Sequence, residues 1–360
     1  MSERQMMRAL VAHQIGWPNP MRVESCPMPV PTDDEMLVQV EAAGLNFADT
    51  LVLSGSYQEK PPLPFVPGAE LCGTVVSTGT QVAPFKPGDR VMGQVVAGAY
   101  AQYAVLHQDR AALAPSGMPA DLAAGFYIPY GTALCALRER GRLKSGETAL
   151  ILGAAGAVGQ AAIQVAKALG AKVVAATGGS HNRDAVLKAG ADLHVSYGQG
   201  DLRDSVMDAT EGHGVDVVLD TVGGTASRAA LRTLRFEGRH IVVGFTSGKA
   251  PELQANHILV KNIDVIGCYW GPYQQRRPQE TQAAFDTLAD WYSRGLLKPH
   301  VAAHVGLEAV GAALERLLAR VFKEAIHDGD FAFLAGKWLK VEVSDLELCW
   351  FISEQDGKLV

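Results

Sequence analysis

The chain reads as an α/β protein in which a doubly wound parallel sheet is joined to a second, β-rich domain. Three patterns say so. Residues 8–115 carry short runs of β-formers cut by Gly and Pro, such as "RALVAHQIG", "MLVQVEAAGL" and "LCGTVVSTG". From "TALILG" onward, apolar strands alternate with amphipathic helical segments, the rhythm of βαβ units with helices on both faces of a sheet. After Tyr269 the pattern turns helical again in "ETQAAFDTLADWYSRGLL", and the chain is expected to return to its first domain.

In chain order, "EKPPLPFVPG" at 59–68 cannot be helix or central strand and predicts a loop shaping a surface or pocket. "ADLAAGFYIPYGTALCALRERGRL" is helix-rich, with a break expected at Pro129. A helix follows from about Ala157 to Leu169, with Val158, Ala162, Val165 and Leu169 on one face and Gly170 at the C-terminal cap. The strands "KVVAAT", "LHVSY", "GVDVVLDTVG", "RHIVVGF" and "NIDVIGCYW" complete the sheet, with helices at "RDAVLKAG" and "TASRAALRTL". The boundaries read as 1–126, 127–268 and 269–360.

Composition removes several classes. The 360 residues are 48% hydrophobic and 19% charged, with a net charge of −6, so a basic nucleic-acid footprint is missing. The most apolar stretch, Leu122 to Leu137, is broken by Gly125, Pro129 and Gly131, short of the ~18 residues of a membrane span. "MSERQMMRAL" has no hydrophobic signal core. Cys26, Cys72, Cys135, Cys268 and Cys349 are scattered singly, which suits reduced thiols in the cytoplasm.

The turn Gly153-Ala154-Ala155-Gly156-Ala157-Val158-Gly159 lies between an apolar strand and an amphipathic helix. Gly156 would let the backbone approach a pyrophosphate, and Gly159 would let the helix close on the sheet. The helix N-terminus offers free N–H groups. A cofactor-free, flavodoxin-like turn is the alternative. At the second strand, "VVAATGGSHNR" has no acid from Lys172 to Asn182, where an NAD site usually places one, and offers Ser180 and Arg183 instead. A 2′-phosphate is repelled by an acid and held by a cation and a hydroxyl, so the residues favour NADPH.

These residues resemble the medium-chain dehydrogenase/reductase superfamily, and within it the zinc-independent quinone oxidoreductase (zeta-crystallin-like) branch. The carriers are "AAGLNFADTLVLSGSYQEKPPLPFVPGAELCGTVVSTG" (42–79), "FKPGDRV" (85–91), "GAYAQYAV" (98–105), "PYGTALCAL" (129–137) and "LILGAAGAVGQAAIQVAKALGAKVVA" (150–175). The resemblance implies a GroES-like β-barrel catalytic domain from both chain ends, a Rossmann domain between them, and a cleft site. It also implies a homodimer joined through edge strands, here "NIDVIGCYW".

Zinc-dependent relatives carry a Cys in the first loop and Gly-His-Glu in the second. Here these read Asn46-Phe47-Ala48-Asp49 and Gly68-Ala69-Glu70, so no metal is expected. Tyr57 matches the tyrosine with which related enoyl-thioester reductases protonate an enolate; otherwise it packs on the proline run. Asn46 and Asp49 match the family's Asn-x-x-Asp, and Asp49 reads equally as a helix cap. Thr132 follows the family's placement beneath the nicotinamide. Tyr197 matches a contact to the adenosine phosphate, and Gly244 and Phe245 end a strand where cofactors bind. Tyr127, Tyr130, Tyr269 and Trp270 either line an aromatic pocket or fill the core.

Three functions stay open. The leading one is an NADPH-dependent reductase of a small-molecule quinone or enone. The second is an enoyl-thioester reductase, with Arg276 and Arg277 at the groove entrance. The third is an NADPH-binding protein with little turnover. At the C-terminus, 336–343 is expected to form the family's last strand, leaving "SDLELCWFISEQDGKLV" as an extension.

Overall fold

The computed structural model describes residues 5–16, 21–198, 200–325, 350–355 and 358–359. The first domain opens with the hairpin β1 (Met6–Val11) and β2 (Arg22–Pro27). β3 (Glu35–Gly44) follows, then α1 (Phe47–Leu53), β4 (Glu70–Thr78), β5 (Arg90–Gln94), β6 (Tyr103–His107) and β7 (Ala111–Leu113). β3 is its centre, antiparallel to both β4 and β6, and β5 bridges β4 to β7. Its interior gathers Met36, Val38, Val40, Leu71, Tyr100 and Leu106. The period-2 runs of Val, Leu and Met put one set of side chains inside.

α2 (Ala120–Ala124) and α3 (Tyr127–Leu134) lead into the second domain, and α3 continues as a π-helical turn over Cys135–Arg140. The helical break lies at Gly125–Phe126, not at the expected Pro129. Pro129 sits in the first turn of α3, where its missing N–H has no intrahelical partner to lose.

The parallel sheet then unrolls: β8 (Thr148–Leu152), α4 (Ala157–Ala168), β9 (Lys172–Thr177), α5 (Arg183–Lys188), β10 (Leu193–Ser196), α6 (Leu202–Ala209) and β11 (Val215–Asp220). α7 (Gly224–Leu231), β12 (Leu234–Val242), α8 (Ala255–Lys261) and β13 (Asp264–Gly267) finish it. The order is β10-β9-β8-β11-β12-β13, all parallel. The direction of winding reverses between β8 and β11, so a crevice opens at their carboxyl ends. One face packs on α3, α4 and α5, the other on α6, α7 and α8.

The buried face of α4 is wider than its amphipathic stripe. Ala161, Ile163 and Ala166 are also covered, because α3 packs on the helix from the far side. Small side chains let both neighbours approach at once.

α9 (Trp270–Arg276), α10 (Pro278–Ser293), β14 (Ala303–Val305) and α11 (Val310–Ala325) carry the chain back. Leu307, Val310, Ala313 and Leu314 join the core of the first domain. The expected last strand at 336–343 lies outside the described residues. β15 (Trp350–Gln355), in the segment read as an extension, runs antiparallel to β3 and parallel to β14, and β16 (Lys358–Leu359) pairs with β15.

Candidate active site

The glycine turn sits at the point where the sheet reverses. Gly153 holds φ +66°, and a Cβ there would stand 2.5 Å from Thr221 Oγ1, so only glycine fits between the ends of β8 and β11. A Cβ on Gly159 would lie 2.2 Å from the Gly153 carbonyl oxygen. Gly156 is the N-cap of α4, and it and Ala157 are exposed, with Val158 half-buried. The first-turn N–H groups of a twelve-residue helix therefore face solvent beside the turn.

Thr221 to Gly223 are braced from below. Asp220 accepts from the N–H groups of Val222 and Gly223, each at 2.9 Å, and pairs with His240 Nε2 at 3.0 Å. Burial pushes the Asp220 carboxyl up, but His240 and the Gly223 N–H outweigh it and hold the group below its ordinary value. Gly244 and Phe245 border the same loop: the Gly244 N–H donates to the Asp220 carbonyl, and Phe245 is exposed beside Gly223.

Ser180, Arg183 and Tyr197 gather at the carboxyl ends of β9 and β10. Ser180 and Arg183 are exposed, and the Tyr197 N–H donates to the Thr177 carbonyl at 3.0 Å. His194, which the sequence reading passed over, bonds Thr177 Oγ1 at 2.8 Å. Burial and then the Arg183 charge lower its pKa.

Across the cleft, a knot of buried polar groups replaces local motif with long-range contact. Asn46 caps α1. Its backbone N–H donates to Asp49 Oδ2 at 2.7 Å and its Nδ2 to Glu70 Oε2 at 3.1 Å. Tyr100 donates to Asp49 at 2.8 Å, and the Ile128 N–H of α3 donates to Glu70 Oε1 at 2.7 Å. Burial drives Asp49 up to about 6 and Glu70 up to about 8. Asp49 is thus both cap and partner within the knot. Glu70 ties Asn46 to the helix that carries Thr132, itself buried. No local signal marks Tyr100, since it reads as an ordinary strand aromatic.

Tyr57 is half-buried and packs against the first domain's core. Burial, then the neighbouring Tyr269 phenol, keep its pKa well above the ordinary value. Tyr57 comes from the first domain and Tyr269 from the segment after β13, so their contact joins the domains. The other three aromatics are core: Tyr127 stacks on Phe285 at 4.2 Å and donates to Gln274, Tyr130 donates to Gln164, and Trp270 is buried. Tyr269 alone is exposed. Arg276 and Arg277 lie at the end of α9, where Arg277 pairs with Glu280. Cys72 is buried in β4, its thiol pushed up to about 12. Among the described residues, no group of three or more His, Cys, Asp or Glu side chains could hold a metal ion, and no helix is long and apolar enough to cross a membrane.

The family model of the alcohol dehydrogenase GroES-like domain matches residues 32–116, and that of the zinc-binding dehydrogenase matches 157–290. Quinone oxidoreductase-like protein 2 of Mus musculus is 40% identical over 298 residues, covering 82% of this chain and 85% of the mouse chain. The chain belongs to the medium-chain dehydrogenase/reductase superfamily, in its quinone oxidoreductase branch. Quinone oxidoreductase of Homo sapiens is 30% identical over 88% of this chain and 95% of the human one. The structure of Escherichia coli quinone oxidoreductase complexed with NADPH superposes with a TM-score of 0.80 at 30% identity, over 88% of this chain and 97% of that one. This quinone oxidoreductase relative thus has the fold its sequence implied, a GroES-like domain beside a parallel Rossmann sheet, and the family is one of oxidoreductases.

Proposed function

We propose that the chain is an NADPH-dependent reductase that delivers hydride to a quinone or an α,β-unsaturated carbonyl without a metal. The observation that carries this reading is the meeting of Tyr57 with Tyr269 where the β-rich domain adjoins the nucleotide sheet. It puts a protonated phenol from one domain beside the segment that follows the last strand of the other.

The turn fits the cofactor. Gly153, Gly156, Ala157, Val158 and Gly159 offer unhindered main chain for a pyrophosphate, and the start of α4 complements its charge. Ser180, Arg183 and Tyr197 suit a 2′-phosphate, and no carboxylate stands between Lys172 and Asn182 to repel it. Thr132, Gly244 and Phe245 are assigned to the nicotinamide half. When bound, NADPH would supply the hydride.

The chain's own residues do the rest. Tyr57 keeps its proton at neutral pH and can place it on a substrate oxygen. Asp49 holds the Asn46 backbone and Glu70 its carboxamide nitrogen, so the Asn46 side chain is fixed in one orientation. Asn46 and Ala69 stand where zinc-dependent relatives carry ligands. Glu70 remains as a lone carboxylate with both oxygens engaged, against the roughly three protein ligands a catalytic zinc needs. β13 ends the sheet with Val265 exposed, a strand edge suited to pairing two copies into a homodimer. Cys135 and Cys268 are free thiols, the Cys268 Sγ–H donating to Cys135 Sγ at 3.7 Å, which suits a reducing cytoplasm.

The test is NADPH oxidation with an ortho-quinone and with crotonyl-CoA, comparing wild type and Tyr57→Phe. Quinone turnover unchanged by the substitution supports quinone reduction with Tyr57 as pocket wall. Crotonyl-CoA turnover that falls by roughly 10²–10⁴ in the variant makes Tyr57 the acid of an enoyl-thioester reductase. Tight NADPH binding with neither turnover overturns the enzyme reading.

A further inference from the structure

A cleft of about 480 Å³ lies between α6, α7 and α8, on the sheet face opposite α4. Its end lined by Tyr197 and Gly223 borders the carboxyl edge where the nucleotide site is placed. From there it runs down α7, lined by Arg228 and Arg232, with His257 of α8 on the far wall. Residues four apart on a helix share one face, so both guanidinium groups belong to one surface.

These two arginines differ from most of the chain's others. Arg8, Arg90, Arg142, Arg235 and Arg239 each sit against a carboxylate. Among the described residues, neither Arg228 nor Arg232 meets one, and the His257 ring has no hydrogen-bonding partner, its backbone N–H alone donating to the Gln254 carbonyl. The acid that lines the cleft, Asp201, is engaged as the N-cap of α6, accepting from the N–H groups of Arg203 and Asp204. Lys261 adds positive charge behind the wall, its Nζ donating to the Arg232 carbonyl, while Arg203 is paired with Asp204. Burial first, then the charges of Arg203 and Arg232, lower the Lys261 pKa. A chain of net charge −6 thus concentrates unneutralised cations in a concave site.

We propose that this cleft is a phosphomonoester site, in which Arg228 and Arg232 hold the dianion and His257 and Ser247 complete its hydrogen bonds. Paired planar guanidinium groups match phosphate oxygens, and the apolar floor of Val222, Ala226 and Leu202 suits the ester's organic part. The phosphate could come from two sources: the 2′-phosphate of a nucleotide bound at the carboxyl edge, or a separate phosphorylated small molecule. Only the first source rests on the nicotinamide nucleotide reading.

Calorimetric titration of wild type and of the exposed double variant Arg228→Gln/Arg232→Gln separates them. The probes are 2′,5′-ADP, 5′-ADP, and ribose 5-phosphate added with NADPH present; thermal melting confirms that both proteins are folded. If the cofactor supplies the phosphate, the variant loses roughly tenfold affinity for 2′,5′-ADP and none for 5′-ADP. If a separate ligand supplies it, ribose 5-phosphate binds wild type alongside NADPH and weakens roughly tenfold in the variant. Affinities for both phosphomonoesters within about twofold of wild type, or no binding of either to wild type, overturn the proposal. Wild type that binds ribose 5-phosphate but not NADPH would sink the nucleotide reading and leave this one standing.

Discussion

On the nucleotide side of the cleft, the working groups are main-chain atoms from one short run, Gly153 to Gly159, at the start of a single helix. On the acceptor side they are side chains from separated segments: Asn46 and Asp49 after β3, Tyr57 in a loop, Glu70 in β4, Tyr100 before β6, and Tyr269 after β13. The first side opens to solvent at Gly156 and Ala157 and is shaped by the absence of Cβ atoms. The second rests on buried carboxylates that burial makes reluctant to ionise, below half-buried Asn46 and Tyr57 and exposed Tyr269. A phosphate can be met by fixed backbone dipoles, whereas an acceptor must be met by chemistry that only side chains carry.

The largest effect that separates the two sides should come from Gly159→Val. Its Cβ would stand 2.2 Å from the Gly153 oxygen and 2.6 Å from the Ala154 Cα, and both obstacles are backbone. The turn must open, costing about 3 kcal/mol of stability and roughly a hundredfold in NADPH affinity. Denaturant melts and NADPH fluorescence titration check both. A variant that keeps full NADPH affinity would mean that the turn does not hold the cofactor.

Next comes Glu70→Gln, on the buried side. Burial lifts the folded carboxyl of Glu70 from 4.5 to about 8. The folded state therefore binds the proton more tightly than the unfolded chain. This contribution to stability is full below about 4.5 and is lost as pH rises toward about 8. Wild type should lose stability across that window, and the glutamine variant, which cannot ionise, should show a flatter curve. Melting temperature against pH gives the comparison. Equal slopes in the two proteins would rule out Glu70 as the titrating group. Asp49, lifted to about 6, leaves a smaller slope of the same sign in both.

The difference between the sides also explains what could be read from the chain alone. The βαβ alternation and the glycine turn are local patterns, and the six parallel strands appear where the apolar runs place them. Ser180 and Arg183 were picked from an acid-free strand end and Tyr197 from the family resemblance, and the structure places all three just past the carboxyl ends of β9 and β10. Tyr100 was not, because its meaning depends on Asp49, 51 residues earlier. The aromatics Tyr127, Tyr130, Tyr269 and Trp270 could be sorted only by burial: three stack or bond within the core, and Tyr269 alone is exposed. The break near Pro129 was misplaced because a proline in a first helical turn leaves no gap in the hydrogen-bond ladder.

The smallest expected effect sharpens the nucleotide side. Arg183 is exposed at the start of α5, beside Ser180 and close enough to His194 to lower its pKa. An exposed cation facing a phosphate gains little in water, so Arg183→Gln should weaken NADPH binding by about three- to tenfold. NADH lacks the 2′-phosphate and should bind the variant as it binds wild type. The deficit should also shrink as salt rises, because screening at 1 M acts within roughly 3 Å. Titrating both nucleotides at low and high salt tests all three statements. Equal losses for NADPH and NADH would show that Arg183 supports the fold of the β9–α5 turn rather than the phosphate. An unchanged NADPH affinity would move the cofactor's selectivity to Ser180, Tyr197 or the arginines of α7.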